Sequence, residues 1–179
     1  MDASLARFLT RHTAVVEKAV DWGDMPLQVA SYITCETPPL EYVTSVRALV
    51  LREDAVLVLH DDGGRHLILP GGRREQGESV DDTLAREVAE ETGCLLAHGT
   101  QLGFMHFHHL APRPDGYRYP YPDFLQLVFT ARPTGHRPDR IVDDGSVRWS
   151  GFMPVDTVLG LPLSPNERVF LETALDSRP

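Results

Sequence analysis

Positive charge is scarce in this chain. Lys18 is its single lysine, and 17 Lys and Arg face 26 Asp and Glu over 179 residues, for a formal charge of −9. Such a balance offers no broad basic surface, which excludes nucleic acid and anionic membrane as expected partners. The positive charge that remains is arginine, whose planar fork suits bidentate contacts with phosphate. Cysteine is also rare: Cys35 and Cys94 stand far apart, make no disulfide framework or Cys-x-x-Cys pair, and are expected as reduced thiols. No apolar run reaches the roughly 18 residues of a membrane span, and the N-terminus lacks a signal-peptide core, so a cytoplasmic location is the expectation. An apolar share of 42% and a charged share of 24% are ordinary for a soluble globular protein of one domain.

Along the chain, the partial apolar stripe of Leu5, Phe8, Leu9, Val15 and Val16 predicts a helix over residues 2 to about 20. "LQVASYIT" then alternates like a strand, and "ETPP" breaks the chain. Residues 1–42 therefore read as a helix/strand extension of the same domain, and 43–179 as its main part. "VTSVRALVL", "AVLVLH" and "HLIL" are strand candidates separated by turn residues, and "PGG" ends them before the loop "RREQGE". A helix follows, with Ser79 as N-cap, Asp82 as acidic partner of a capping box and Gly93 just past its end. Two further strands, "AHGTQLGFMHFHHL" and "DFLQLVFTARP", flank the long aromatic loop "APRPDGYRYPYP", a length that is more often functional than decorative. "SVRWSGFMP" is a last strand, and "SPNERVFLETALD" a closing helix with Ser164, Pro165 and Glu167 in capping positions.

The helix after Ser79 contains "AREVAEETG", in which Glu87, Glu90 and Glu91 fall within an arc of roughly 100° at 3.6 residues per turn. Leu84, Ala85, Val88 and Ala89 fill the neighbouring arc, which places the carboxylates at the rim of a core. Like charges at i,i+4 destabilise a helix by roughly 0.2–0.5 kcal/mol, and a hard divalent cation that takes oxygen ligands reverses that sign. A solvated acidic face is the plainer reading of the run taken alone.

From Gly72 to Cys94 the spacing is Gly-x5-Glu-x7-Arg-Glu-Val-x-Glu-Glu-x-Gly-Cys, carried by Gly72, Glu78, Arg86, Glu87, Glu90, Glu91 and Gly93. This resembles the signature of the Nudix hydrolase superfamily, departing only where Cys94 replaces a bulky aliphatic. Agreement of seven fixed letters by chance is on the order of 10⁻⁹ per starting position. The resemblance implies an α/β fold, the Nudix-type α/β/α sandwich with a mixed sheet and a catalytic loop-helix motif. It also implies a metal-dependent hydrolase that cleaves the diphosphate bond of a nucleoside diphosphate linked to another moiety, with Mg²⁺ or Mn²⁺ as cofactor. By position in the motif, Glu87 and Glu91 are the expected metal ligands, with Glu90 next and the Gly72 carbonyl completing the site. Arg86 would orient the carboxylates, making Arg86, Glu87, Glu90 and Glu91 the catalytic set, and Glu78 would fix the loop to the helix. The resemblance leaves the general base open between a motif glutamate and a later acid, here Asp143, Asp144 or the more remote Asp123. A homodimer is a further expectation, since many family members are dimers. A nucleotide-binding module without turnover and a hydrolase of non-nucleotide diphosphates are alternatives on the same scaffold.

Outside the motif the signals are thinner. Tyr117, Tyr119 and Tyr121 offer stacking faces for a base, and Arg118 and Arg47 guanidiniums for phosphate; each equally suits a loop or surface role, as does Arg52. "HFHH" invites zinc, but alternation puts His106 and His108 on one face of a strand and His109 on the other, and no Cys-His spacing accompanies them.

Overall fold

The computed structural model describes residues 2–142, 145 and 147–177. In chain order the elements are α1 (Ala3–Leu9), β1 (Val16–Trp22), β2 (Met25–Ile33), a 3₁₀ turn (Leu40–Tyr42), β3 (Val43–Arg52), β4 (Ala55–Asp61), β5 (His66–Leu67), β6 (Gly71–Arg73), α2 (Val80–Thr92), β7 (Cys94–Leu96) and β8 (Thr100–His109). There follow β9 (Asp123–Ala131), β10 (Pro133–His136), a 3₁₀ turn (Pro138–Arg140), β11 (Val147–Pro154), α3 (Val155–Leu159) and α4 (Pro165–Asp176). The main sheet runs β1-β2-β8-β9-β3-β4-β11, with β5 on β4 and β6 on β3, while β7 and β10 form a separate ladder. It is mixed, because β3 and β9 are parallel while the other pairs are antiparallel.

Alternation along the central strands sends side chains to two cores, one on each face. Val46, Ala48, Val50, Phe104, Leu125 and Leu127 pack with Leu84 and Val88 of α2 and with Leu5 and Phe8 of α1. Leu27, Val29, Leu49, Phe107, Phe124 and Val128 pack with Phe170, Leu171 and Ala174 of α4. Helices on both faces of a mixed sheet make the expected α/β/α sandwich. Among the described residues no helix is long and apolar enough to cross a membrane.

The N-terminal segment departs from the expected single helix over residues 2 to about 20. α1 stops at Leu9, and from Val16 the chain is a strand, paired residue by residue with β2 from Val16↔Ser31 to Trp22↔Met25. Val16, Lys18 and Val20 alternate with exposed Glu17 and Ala19, a period of two that pairing with β2 selects over the weak helical stripe. β2 in turn pairs with β8, so the extension continues the main sheet. "HLIL" yields only a two-residue strand, because Ile68 donates its N–H to Glu167 Oε1 at 3.1 Å on α4 instead of to a ladder.

The caps of α2 form at both expected residues. Ser79 Oγ accepts from the Asp82 N–H at 3.1 Å, and Gly93 takes φ 70° with its N–H on Ala89 O at 2.8 Å. The Asp82 carboxylate accepts from the Ser79 hydroxyl at 2.6 Å, whereas α4 closes a full capping box between Ser164 and Glu167.

Candidate active site

The site begins with close backbone packing. β6 pairs with β3 in the register Arg47↔Gly71, Val46↔Gly72 and Ser45↔Arg73. Gly71 has φ 133°, and a Cβ there would lie 2.2 Å from the Val46 carbonyl oxygen, so only glycine allows this approach. Arg47 donates from its guanidinium to Gly71 O, and the Gly71 N–H donates to Glu91 Oε2 at 2.7 Å. One residue on, a Cβ at Gly72 would lie 2.2 Å from Glu87 Oε2. The loop glycines thus bring Glu87, Glu91 and Arg47 together at one point of the backbone. Burial depresses the pKa of Arg47, and the charges of Glu91 and Glu87 oppose that shift.

Arg86 organises the helix side. Its Nε and a terminal nitrogen clasp Glu78 Oε1 and Oε2 at 2.8 and 2.9 Å, and the same terminal nitrogen donates to Arg73 O at 3.0 Å. The other terminal nitrogen donates to Glu87 Oε1 at 3.0 Å and to Glu90 Oε2 at 3.1 Å. Glu78 also accepts from Glu75 N–H at 3.0 Å and Thr83 Oγ1 at 2.8 Å, so its one carboxylate joins loop, helix and Arg86. Hydrogen bonding from Arg86 outweighs burial and holds the Glu78 carboxyl at about 2, while Glu78 pushes Arg86 above its ordinary value.

Glu78, Glu87, Glu90 and Glu91 therefore meet two guanidiniums, Arg86 and Arg47, which leaves an excess of negative charge at an all-oxygen donor set. Among the described residues no group of three such side chains is already drawn into a cage for a cation. An open set of this kind suits a hard divalent ion that keeps waters and takes further oxygens from a phosphate. Glu87 and Glu91, side by side against Gly71 and Gly72, are the carboxylates that fit it best.

Next to Arg47 lies a cleft of about 130 Å³, lined by Trp22 and Met25 of the N-terminal hairpin, Thr44, Ser45 and Arg47 of β3, Arg73, Tyr117, Tyr119, Phe124 and Gln126. Of the expected substrate contacts, Arg47 and Tyr117 line it, whereas Arg118 is exposed and outside its lining. Along the loop Tyr117 and Tyr119 turn inward and Arg118 between them turns out. Arg73 places a guanidinium at this wall, donating to Tyr119 Oη at 2.8 Å and lying 4.6 Å from the Tyr119 ring centre. Tyr121 donates to Ala111 O at 2.5 Å within the loop, and Arg52 stacks on Phe152, 3.9 Å from its ring centre.

The histidines of β8 make two separate contacts. His106 Nε2 and His108 Nδ1 both lie 2.8 Å from Asp123 Oδ1, on a carboxylate 2% exposed, and His109 Nε2 lies 3.0 Å from Tyr117 Oη. Burial raises the Asp123 carboxyl, yet the two imidazole contacts outweigh it and leave its pKa below the usual value; burial lowers that of His109. Asp143 and Asp144 lie outside the described residues.

Sequence reasoning passed over Arg73, Ser45, Trp22 and Gln126. Gln126 does leave a trace, as the one polar letter inside "FLQLVF". Arg73 follows the motif glycine directly.

A family model described as NUDIX domain matches residues 41–174. The chain is 27% identical over 134 residues to an uncharacterized Nudix hydrolase, YvcI, of Bacillus subtilis (strain 168), across 74% of this chain and 80% of that protein. Among solved structures, the Bacillus subtilis pyrophosphohydrolase BsRppH matches with TM-score 0.61 at 14% identity, covering 91% of this chain and 98% of the other. The NUDIX domain of Shewanella oneidensis NrtR, solved with ADP ribose, matches with TM-score 0.54 at 21% identity over 75% of this chain and 86% of the other. At such identities the two structures speak for the fold, and the family match extends it to kinship: the chain belongs to the NUDIX domain family and is a Nudix hydrolase.

Proposed function

We propose that this enzyme hydrolyses the diphosphate bond of a nucleoside diphosphate linked to another moiety, with Mg²⁺ or Mn²⁺ at Glu87 and Glu91 and with Glu90 beside them. The observation that carries this reading is the meeting of Glu87, Glu91 and Arg47 at Gly71–Gly72, directly beside an aromatic cleft. When bound, the cation would neutralise phosphate oxygens and acidify a water. Arg86 orients Glu87 and Glu90 while anchored on Glu78, so the carboxylates are positioned before substrate arrives. Arg47 and Arg73 line the cleft on the Gly71 side and supply forks for phosphate oxygens. For the proton of the attacking water, Asp123 is a poor candidate because two imidazoles already share its Oδ1, which leaves a motif glutamate or the Asp143–Asp144 pair.

Residues 1–42 act in this reading as part of the same domain, since β1 and β2 extend the sheet and Trp22 reaches the cleft. The test is hydrolysis of a panel of nucleotide sugars, dinucleotides and nucleoside triphosphates with Mg²⁺ or Mn²⁺, read as released nucleoside monophosphate. ADP ribose is the first compound to assay, being the molecule solved with the Shewanella oneidensis domain of similar fold. Release from none of them removes the proposal. Light scattering on the purified protein tests the homodimer.

A further inference from the structure

The cleft beside Arg47 carries two features that the diphosphate chemistry does not use. Trp22 is 45% exposed at the end of β1, an unusual place for so large an apolar ring, and its indole lines the opening. It continues an aromatic wall, 6.4 Å between ring centres from Phe124, which stacks on Phe107 at 4.8 Å and 6°. Tyr119, braced by Arg73, also lines the cleft. Ser45, also in the lining, is 2% exposed, and its Oγ has no hydrogen-bond partner among the described residues. Buried hydroxyls are nearly always satisfied, so an orphan in a cleft wall points to a partner that arrives from outside. Gln126, 6% exposed and facing the same cleft from the neighbouring strand, adds an amide that both donates and accepts.

We infer that Trp22 and Ser45 form a recognition site for the base of the nucleoside: Trp22 supplies a stacking face, and Ser45, with Gln126, reads a polar edge of the ring. The inference rests on the proposed hydrolase reading only for the position of the phosphates, which Arg47 and Arg73 hold toward Gly71. A cleft of about 130 Å³ is below the roughly 300–1,000 Å³ of pockets that enclose a whole drug-sized ligand, so it takes one planar group and leaves the remainder outside. Stacking is tolerant of ring identity, because every base has a π-face; hydrogen bonds to Ser45 and Gln126 are what discriminate between rings. Trp22 lies outside residues 41–174, the part matched to the family model, so this element of the site comes from the N-terminal hairpin.

The chain has two tryptophans, which makes the inference directly readable. Trp149 lies on β11, at the opposite end of the strand order from β1, so Trp149→Phe leaves Trp22 as sole reporter and Trp22→Phe leaves Trp149. Adenosine, guanosine, uridine and cytidine diphosphates are titrated without metal, so that binding is read apart from hydrolysis. Saturable change in Trp22 emission is expected with at least one of them, and none in Trp149 emission. In the metal-supplemented enzyme, Trp22→Ala should raise KM about tenfold with kcat little changed, and Ser45→Ala should narrow the preference between bases. Circular dichroism checks that both variants fold, and Trp22→Phe, which keeps a ring, should raise KM less than Trp22→Ala. Hydrolysis that proceeds with no response from Trp22 and with KM unmoved in Trp22→Ala overturns this inference and leaves the hydrolase reading standing. Saturable Trp22 quenching in a protein that hydrolyses nothing supports the base site and overturns the hydrolase reading.

Discussion

Replacing Glu78 by Gln removes one charge from the hub of the loop-helix motif and leaves its shape in place. In the wild-type protein Glu78 titrates at about 2 against an ordinary 4.5, a displacement of about 3 kcal/mol at face value. The Arg86 and Glu78 side chains are 26% and 14% exposed, and solvent screening of such a rim pair reduces the figure to about 1–2 kcal/mol. The sign follows from the depressed pKa. The stabilisation is complete above the unfolded value of 4.5 and is lost as pH falls from there toward about 2. Urea unfolding at about pH 7 should therefore find Glu78→Gln less stable than wild type by about 1–2 kcal/mol, and repetition at about pH 3 should find the gap much reduced. A gap within about 0.5 kcal/mol at neutral pH, or one that stays constant into acid, would refute the claim that the Glu78–Arg86 clasp holds the loop on the helix.

The two loop glycines should separate fold from chemistry. Gly71→Ala forces φ 133° and a clash with backbone, so it should cost about 1–3 kcal/mol or more in thermal or urea unfolding; Gly72→Ala meets first the movable end of Glu87 and should keep the fold while lowering kcat through displacement of that carboxylate. Asp123→Asn removes the charge shared by His106 and His108 and should cost about 1.5–3 kcal/mol in urea unfolding, while its kcat stays within an order of magnitude of wild type if the base is a motif glutamate. A much larger loss of kcat in folded Asp123→Asn would make Asp123 the base.

The features legible in the sequence are those that are local in it. The α2 caps at Ser79 and Gly93, the box of Ser164 and Glu167, and the spacing of Glu87, Glu90 and Glu91 are all set within a few residues, by turn geometry and helical period. The β1 strand was not legible, because its weak alternation competes with a helical stripe and is decided by pairing with β2. The short β7–β10 ladder escaped for the same reason, joining residues far apart in sequence. Within the site, Arg47 was found as a strand arginine, but its hold on Gly71 depends on β6 lying beside β3. Trp22 and Ser45 become meaningful only when the hairpin, β3 and the tyrosine loop enclose one cleft. Arg118, chosen for its place between two tyrosines, is exposed and outside the cleft lining because alternate residues of that stretch face opposite ways.

In the proposed reaction Glu91 works with a divalent cation to cleave a diphosphate bond. Its side chain accepts the Gly71 N–H at 2.7 Å, a contact that a Gln side chain can also make, so Glu91→Gln removes the charge and preserves the local fold. The most direct measurement compares wild type and Glu91→Gln for release of nucleoside monophosphate from a substrate identified in the panel, with and without Mg²⁺ or Mn²⁺. Metal-dependent release by wild type and a loss of orders of magnitude in kcat for Glu91→Gln, with unchanged circular dichroism, are expected. Near-normal turnover by Glu91→Gln, or turnover by wild type that chelation leaves intact, would contradict that role.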